Sequence, residues 1–93
     1  MNTAPTIEDL TIDDNLSLID RVVRYVKSSI GLQRLVHTKM ISDVAVEVGL
    51  ERTKESLIPL LADLSVDPEP AVRQRLVDQL SPLAQVIMPH WNM

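Results

Sequence analysis

An all-α fold built as two helical hairpins is what this sequence predicts, and three observations predict it. The composition is aliphatic, with one Trp, one Tyr and no Phe in 93 residues, which suits helices packed on helices. Apolar residues recur at steps of three and four along most of the chain after residue 14. Residues 57–88 read as two amphipathic helices joined by a tight acidic turn, Ser65-Val66-Asp67-Pro68-Glu69-Pro70.

Taken in order, residues 1–13 mix Thr, Asn, Pro, Glu and Asp without a sustained period and read as a disordered acidic lead-in. The first helix should begin between Asp14 and Ser17. Its cap is Asn15 or Ser17, the latter through a Ser17-x-x-Asp20 capping box with Asp in place of the usual Glu. Ile19, Val22, Val23, Val26 and Ile30 form its inner stripe, with Arg21, Arg24 and Lys27 on the wet side. All five residues of that stripe are β-branched, so packing rather than intrinsic propensity must hold the helix.

Ser28-Ser29-Ile30-Gly31 marks a break. A second helix is expected over residues 32–48, lined by Leu32, Leu35, Val36, Met40, Ile41, Val44, Ala45 and Val48 and ended by Gly49 as a left-handed cap. Leu50-Glu51-Arg52 then connects to Thr53, the expected N-cap of a third helix that carries Leu57, Ile58, Leu61 and Leu64, with Pro59 inside it. Asp67 is placed to cap the fourth helix, with Pro68 in its first turn. Val72, Leu76, Leu80, Leu83 and Ile87 give that helix its stripe, and Val77, Ala84 and Met88 lie beside it. Pro82 stands in its interior, where a proline costs about 3 kcal/mol. A kink near Ser81 is expected, with the helix continuing, because Leu83, Ala84 and Ile87 carry the stripe onward.

An internal repeat is visible. Gln33-Arg34-Leu35-Val36 recurs as Gln74-Arg75-Leu76-Val77, while Leu18-Ile19 aligns with Leu57-Ile58 at a slightly smaller offset. A period near forty residues with two helices per unit belongs to helical solenoids. Such arrays usually need at least three units, and the fourth helix keeps an apolar flank, so the expectation is the start of a longer array.

The residue inventory argues against chemistry. There is no cysteine, so neither a disulfide nor a thiolate metal site is possible. His37 and His90 have no ligand-type residue three or four positions on, the serines lack a nucleophile-elbow context, and no Gly-rich phosphate loop occurs. No catalytic residue, cofactor or metal is expected. The net charge of −4 argues against a nucleic-acid surface, and Arg21, Arg24 and Lys27, like Arg73 and Arg75, read as solvated faces. No signal peptide and no apolar run of bilayer length is seen, so the expected location is the cytoplasm, with the nucleus second.

Pro59, Asp67, Val72 and Arg73 stand at the spacing typical of HEAT repeats. Residues 53–88 resemble that family, and residues 14–50 resemble a degenerate copy lacking the markers, so residues 14–93 would form two HEAT-like repeats of an α-α superhelix. Within the family, residues 15 to 88 resemble the regulatory and scaffold subunits of phosphatases of the 4 and 2A type. The residues that carry this are Leu18-Ile19-Asp20-Arg21-Val22-Val23-Arg24-Tyr25 and Leu61-Ala62-Asp63…Asp67-x-Glu69-Pro70-x-Val72-Arg73. The resemblance implies a non-catalytic scaffold that docks proteins, a serine/threonine phosphatase catalytic subunit among them. It implies a binding ridge at Asp67, Glu69, Arg73 and Gln74, with Arg73 pairing to a turn aspartate of its own or a neighbouring repeat. The rival expectations are a transport or vesicle-coat scaffold and a stand-alone helical dimerisation module.

Overall fold

The computed structural model describes residues 12–13 and 15–91, the side chains of 89–91 excepted. The lead-in therefore lies outside the described residues except for Ile12 and Asp13, and so do the side chains of His90 and Trp91. Every regular element among the described residues is helical: α1 Leu18–Tyr25, α2 Gly31–Thr38, α3 Ile41–Arg52, a π-helical segment Thr53–Leu57, α4 Ile58–Ser65 and α5 Pro70–Trp91. α1 packs on α2 and α3, and α4 packs on α5. The two pairs meet where α3 and α2 lie along α5 and where the π segment meets α1. None of these helices is long and apolar enough to cross a membrane.

Ser17 caps α1, but only half of the expected capping box forms, because the Asp20 carboxylate takes the Ser17 hydroxyl rather than the Ser17 N–H. Ser17 Oγ accepts the Asp20 N–H at 3.3 Å and donates to the Asp20 carboxylate at 2.9 Å. Asn15 does not cap; its own N–H donates to Asp13 Oδ1. The helix ends at Tyr25, several residues before the expected Ile30, which instead precedes α2 in an extended conformation.

The second expected helix is broken. A tight turn at Lys39 and Met40 divides residues 32–48 into α2 and α3, and the inner face of α2 is not the one the apolar pattern suggested. Leu32 and Val36 face solvent, while Gln33, His37 and Thr38 are buried. The inner stripe runs Gln33, His37, Ile41 and Val44, one position out of phase with Leu32 and Val36. Burial of the polar members is offset by hydrogen bonds: Thr38 Oγ1 donates to the Arg34 carbonyl, Ser28 Oγ donates to Gln33 Oε1, and no buried side-chain polar atom among the described residues is unpaired.

Gly49 does adopt a positive φ, but at φ 85° and ψ 176° it is a mirror-image extended residue rather than a left-handed helical cap. The chain bends there and re-enters helix at once, so Leu50-Glu51-Arg52 is helical and Thr53 is not an N-cap. Thr53 is buried in the π segment with Oγ1 donating to the Ala45 carbonyl across the bend. An L-residue is strained in this backbone region whatever space surrounds it, and a Cβ at Gly49 would meet nothing within 4 Å. Gly49→Ala is therefore expected to lose about 1–3 kcal/mol in a urea titration, from backbone strain alone.

Pro59 explains the π segment. It has no N–H, and in an α-turn its ring would strike the carbonyl of Glu55, four residues earlier. The preceding turn is widened instead, with the Ile58 N–H donating to the Thr53 carbonyl, five residues back. Pro82 does not interrupt the helix: α5 runs through it to Trp91. The α5 stripe buries Val72, Leu76, Leu83 and Ile87, but Leu80 is half exposed, at the edge of the stripe beside exposed Val77, Ala84 and Met88.

Candidate functional site

The candidate ridge is the turn between α4 and α5. The Asp67 N–H donates to the Leu64 carbonyl as α4 closes, and the Asp67 carboxylate accepts the Glu69 N–H at 2.9 Å. Asp67 therefore ties the turn ahead of α5 rather than capping the helix as expected: α5 starts at Pro70, the Glu69 carbonyl accepts its first helical bond from the Arg73 N–H, and Pro68 lies before the first turn. Glu69, Arg73 and Gln74 are exposed on this turn, while Asp67 is buried. Gln74 Nε2 donates to Asp78 on the next turn of α5.

The partner of Asp67 is a residue the sequence reading had not selected. Arg34, on α2, donates from Nε to Asp67 Oδ2 at 2.7 Å and from Nη2 to Asp67 Oδ1 at 3.1 Å, a two-point fork between the helix pairs. The two side chains are 13% and 6% exposed. Burial pushes the Asp67 carboxyl upward. The Arg34 fork, the Glu69 N–H and the charges of Arg34 and Arg73 outweigh that and hold it below its ordinary value. Arg73 does not take the carboxylate; its Nη1 donates to the Asp67 main-chain oxygen at 2.6 Å.

The first helix pair has the same turn. Ser28 Oγ accepts the Ile30 N–H at 3.0 Å, as Asp67 accepts that of Glu69. Arg34 Nη1 donates to the Ser28 carbonyl at 3.0 Å, as Arg73 Nη1 donates to that of Asp67. α2 starts at Gly31 and α5 at Pro70. Every one of these correspondences, 28 to 67, 30 to 69, 31 to 70 and 34 to 73, has an offset of 39 residues. That is also the offset of Leu18-Ile19 from Leu57-Ile58. The structural repeat is therefore 39, and the Gln-Arg-Leu-Val echo, displaced by two more residues, is out of register. Ser28 does for the first turn what Asp67 does for the second, except that a hydroxyl has no charge to offer a second arginine. The offset of Leu18-Ile19 was the signal that would have paired Arg34 with Arg73.

A second polar cluster lies beneath α1. His37 is fully buried, with its ring stacked on Tyr25 at 4.9 Å between centroids. Its Nδ1 lies 2.7 Å from the Gln33 carbonyl, which can only accept, so Nδ1 carries the proton. Nε2 is then the acceptor for Arg21 Nε at 3.0 Å, and Arg21 is half-buried rather than on the wet side. Tyr25 Oη accepts the Asp13 N–H, and Arg24 reaches both the Asp13 carboxylate and the Tyr25 face. Of the expected solvated basic strip, Lys27 alone is without a described partner.

Burial lowers the His37 pKa below its ordinary 6.5, the Gln33 carbonyl opposes this, and the Arg21 charge adds to it. A protonated Nε2 would set two donors face to face. Because the folded-state pKa is depressed, the unfolded chain takes up the proton first. Stability is expected to be complete above pH 6.5 and to be lost as pH falls through the lower folded-state value. The denaturation midpoint followed from pH 7.5 to 5 checks this, and His37→Gln is expected to flatten the slope over that interval.

Among the described residues no three His, Asp or Glu side chains are gathered as metal ligands. The geometry offers a turn with exposed Glu69, Arg73 and Gln74, held from behind by a buried ion pair. Comparison with family models, curated proteins and solved structures finds no match to this chain.

Proposed function

We propose that this chain is a non-catalytic segment of a HEAT-type α-α superhelix that positions proteins along its inter-helix turns, acting as a regulatory or scaffold element for a serine/threonine phosphatase of the 4 or 2A type. The observation that carries the scaffold reading is the pair of turns, 39 residues apart, that share an arginine-to-carbonyl clasp and are joined by the Arg34–Asp67 fork. Repeating an identical clasp at a fixed offset makes successive turns line up, and a row of turns with outward-facing side chains suits a partner that lies across several of them. Glu69, Arg73 and Gln74 are the ridge that a partner would read, and Asp67 is the fastening beneath it. The phosphatase partner is drawn from the resemblance of residues 15 to 88 to phosphatase subunits. The cytoplasm or nucleus is the corresponding location.

Titration of the chain with purified phosphatase 4 and 2A catalytic subunits in a calorimeter tests the reading. Saturable binding is expected, with Glu69→Lys or Gln74→Ala weakening it by about tenfold at unchanged helicity. Absence of heat with both catalytic subunits, or binding indifferent to the ridge variants, would remove the phosphatase role.

A further inference from the structure

We propose that an outer groove of the first helix pair is the seat of this chain's own acidic lead-in, residues 1–11, with Leu10 and Ile7 as the side chains that fill it. The groove is open and mainly apolar, about 110 Å³, and is lined by Ile12, Leu32, Gln33, Val36 and His37. Leu32 and Val36 are 54% and 41% exposed, while Gln33 and His37 beside them on α2 are buried. Leu32 and Val36 do not belong to a face that the repeat uses for stacking. Their counterparts 39 residues on are Ala71 and Arg75, and both are exposed on α5 even though α2 and α3 lie along that helix. The first pair is thus apolar where the second carries a methyl group and a charge, and the first pair is the one that the lead-in runs into.

The end of the lead-in is already tied to the groove. Ile12 forms part of the wall, the Asp13 N–H donates to Tyr25 Oη at 2.9 Å, and the Asp13 carboxylate lies 3.6 Å from Arg24. Leu10 stands two positions before Ile12, and alternate side chains of an extended chain share a face, so Leu10 follows Ile12 toward Leu32 and Val36. Ile7 is the next apolar residue back. Charge favours the same placement. Residues 1–14 carry Glu8, Asp9, Asp13 and Asp14 and no Lys or Arg, whereas α1 exposes Arg24 and Lys27. The composition of the lead-in gives it no core of its own, and the groove supplies the apolar surface against which its two aliphatic side chains leave water. A lead-in from a second copy of the chain competes poorly, because the resident one is tethered at Ile12 and Asp13 and so has the higher effective concentration.

Methyl NOE spectroscopy of the 93-residue chain tests the contact directly. Cross-peaks are expected from the Leu10 and Ile7 methyls to those of Leu32 and Val36, and none to Val77 or Leu80 on α5. In a mixture of two differently labelled chains the cross-peaks are expected within one chain and not between chains. A double-mutant cycle gives the energetic side. Val36→Thr keeps the branched shape and the helix propensity of valine and removes its apolar surface. Val36→Thr and Leu10→Ser are each expected to lower the folding equilibrium constant by about threefold, and the two together by clearly less than the product, because either change already empties the groove. The proposal is overturned if Leu10 and Ile7 show no cross-peak to Leu32 or Val36, if the cross-peaks arise only between chains, which would give the groove to a second copy, or if the two substitutions act independently. None of these outcomes involves phosphatase binding, so the two readings fail separately.

Discussion

Asp67→Ser is expected to destabilise the fold by about 3–5 kcal/mol, the range for breaking one side of a buried ion pair. Serine is the informative replacement because the first turn already works with one. Ser28 Oγ receives the Ile30 N–H in the role that Asp67 plays for Glu69, so the substitution keeps the turn and removes the charge. What remains is the Arg34 guanidinium, 13% exposed, with a single main-chain contact to Ser28 and the exposed Glu69 carboxylate as its nearest opposite charge. Arg34→Ala is expected to be at least as damaging, because it removes the Ser28 clasp along with the fork. Denaturant unfolding measures both, and a double-mutant cycle isolates the pair from the turn. A loss below about 1 kcal/mol for Asp67→Ser would mean that the fork is worth no more than a surface bridge. The same pair sets an acid limit. The Asp67 carboxyl is held below its ordinary 3.8, so its contribution is present above that pH and is lost as pH falls through the folded-state value.

Leu57→Ala is expected to cost about 2–5 kcal/mol, through lost burial and the cavity left behind. Leu57 is fully buried at the end of the π segment, the stretch that contacts α1 and α3 of the first pair while leading into α4 of the second. Its side chain belongs to the cluster that includes Val22, Ile41 and Val44 from the first pair and Leu60 and Leu64 from the second. Truncation there loosens both pairs at once, and the widened turn demanded by Pro59 limits how far the segment can relax inward. Leu80→Ala serves as the control, because Leu80 is half exposed at the edge of the α5 stripe and its loss removes much less buried surface. Thermal or urea midpoints of the two variants compare them directly. Equal midpoints would place Leu57 outside the load shared by the two pairs.

The helical class and the turn at Asp67 could be read from the linear order of residues, and so could a cap at either Asn15 or Ser17, between which the structure chose Ser17. These rest on local physics: apolar period, side chains that satisfy free N–H groups, and prolines that forbid certain hydrogen bonds. The positive φ at Gly49 was legible for the same reason, although the conformation there is extended and not left-handed helical. The phase of α2 was not. Its leucine and valine pattern favoured Leu32 and Val36 inside, yet Gln33, His37 and Thr38 are the buried ones. Either face is compatible with a helix taken alone, and long-range partners choose between them. With Arg34 turned toward Asp67 and His37 beneath Arg21 and Tyr25, Leu32 and Val36 rotate out.

For the turn between α4 and α5, the sequence by itself determined which residues are there: Asp67 ahead of a helix start, with Glu69, Arg73 and Gln74 around it. Only the tertiary structure decided what each does, with Asp67 held inside by Arg34, Arg73 clasping a main-chain oxygen, and the repeat running at 39 residues rather than at the more conspicuous Gln-Arg-Leu-Val spacing. The physical reason is that capping and helical period act over a few neighbouring residues, whereas a salt bridge across 33 positions in the chain depends on how two helix pairs are stacked.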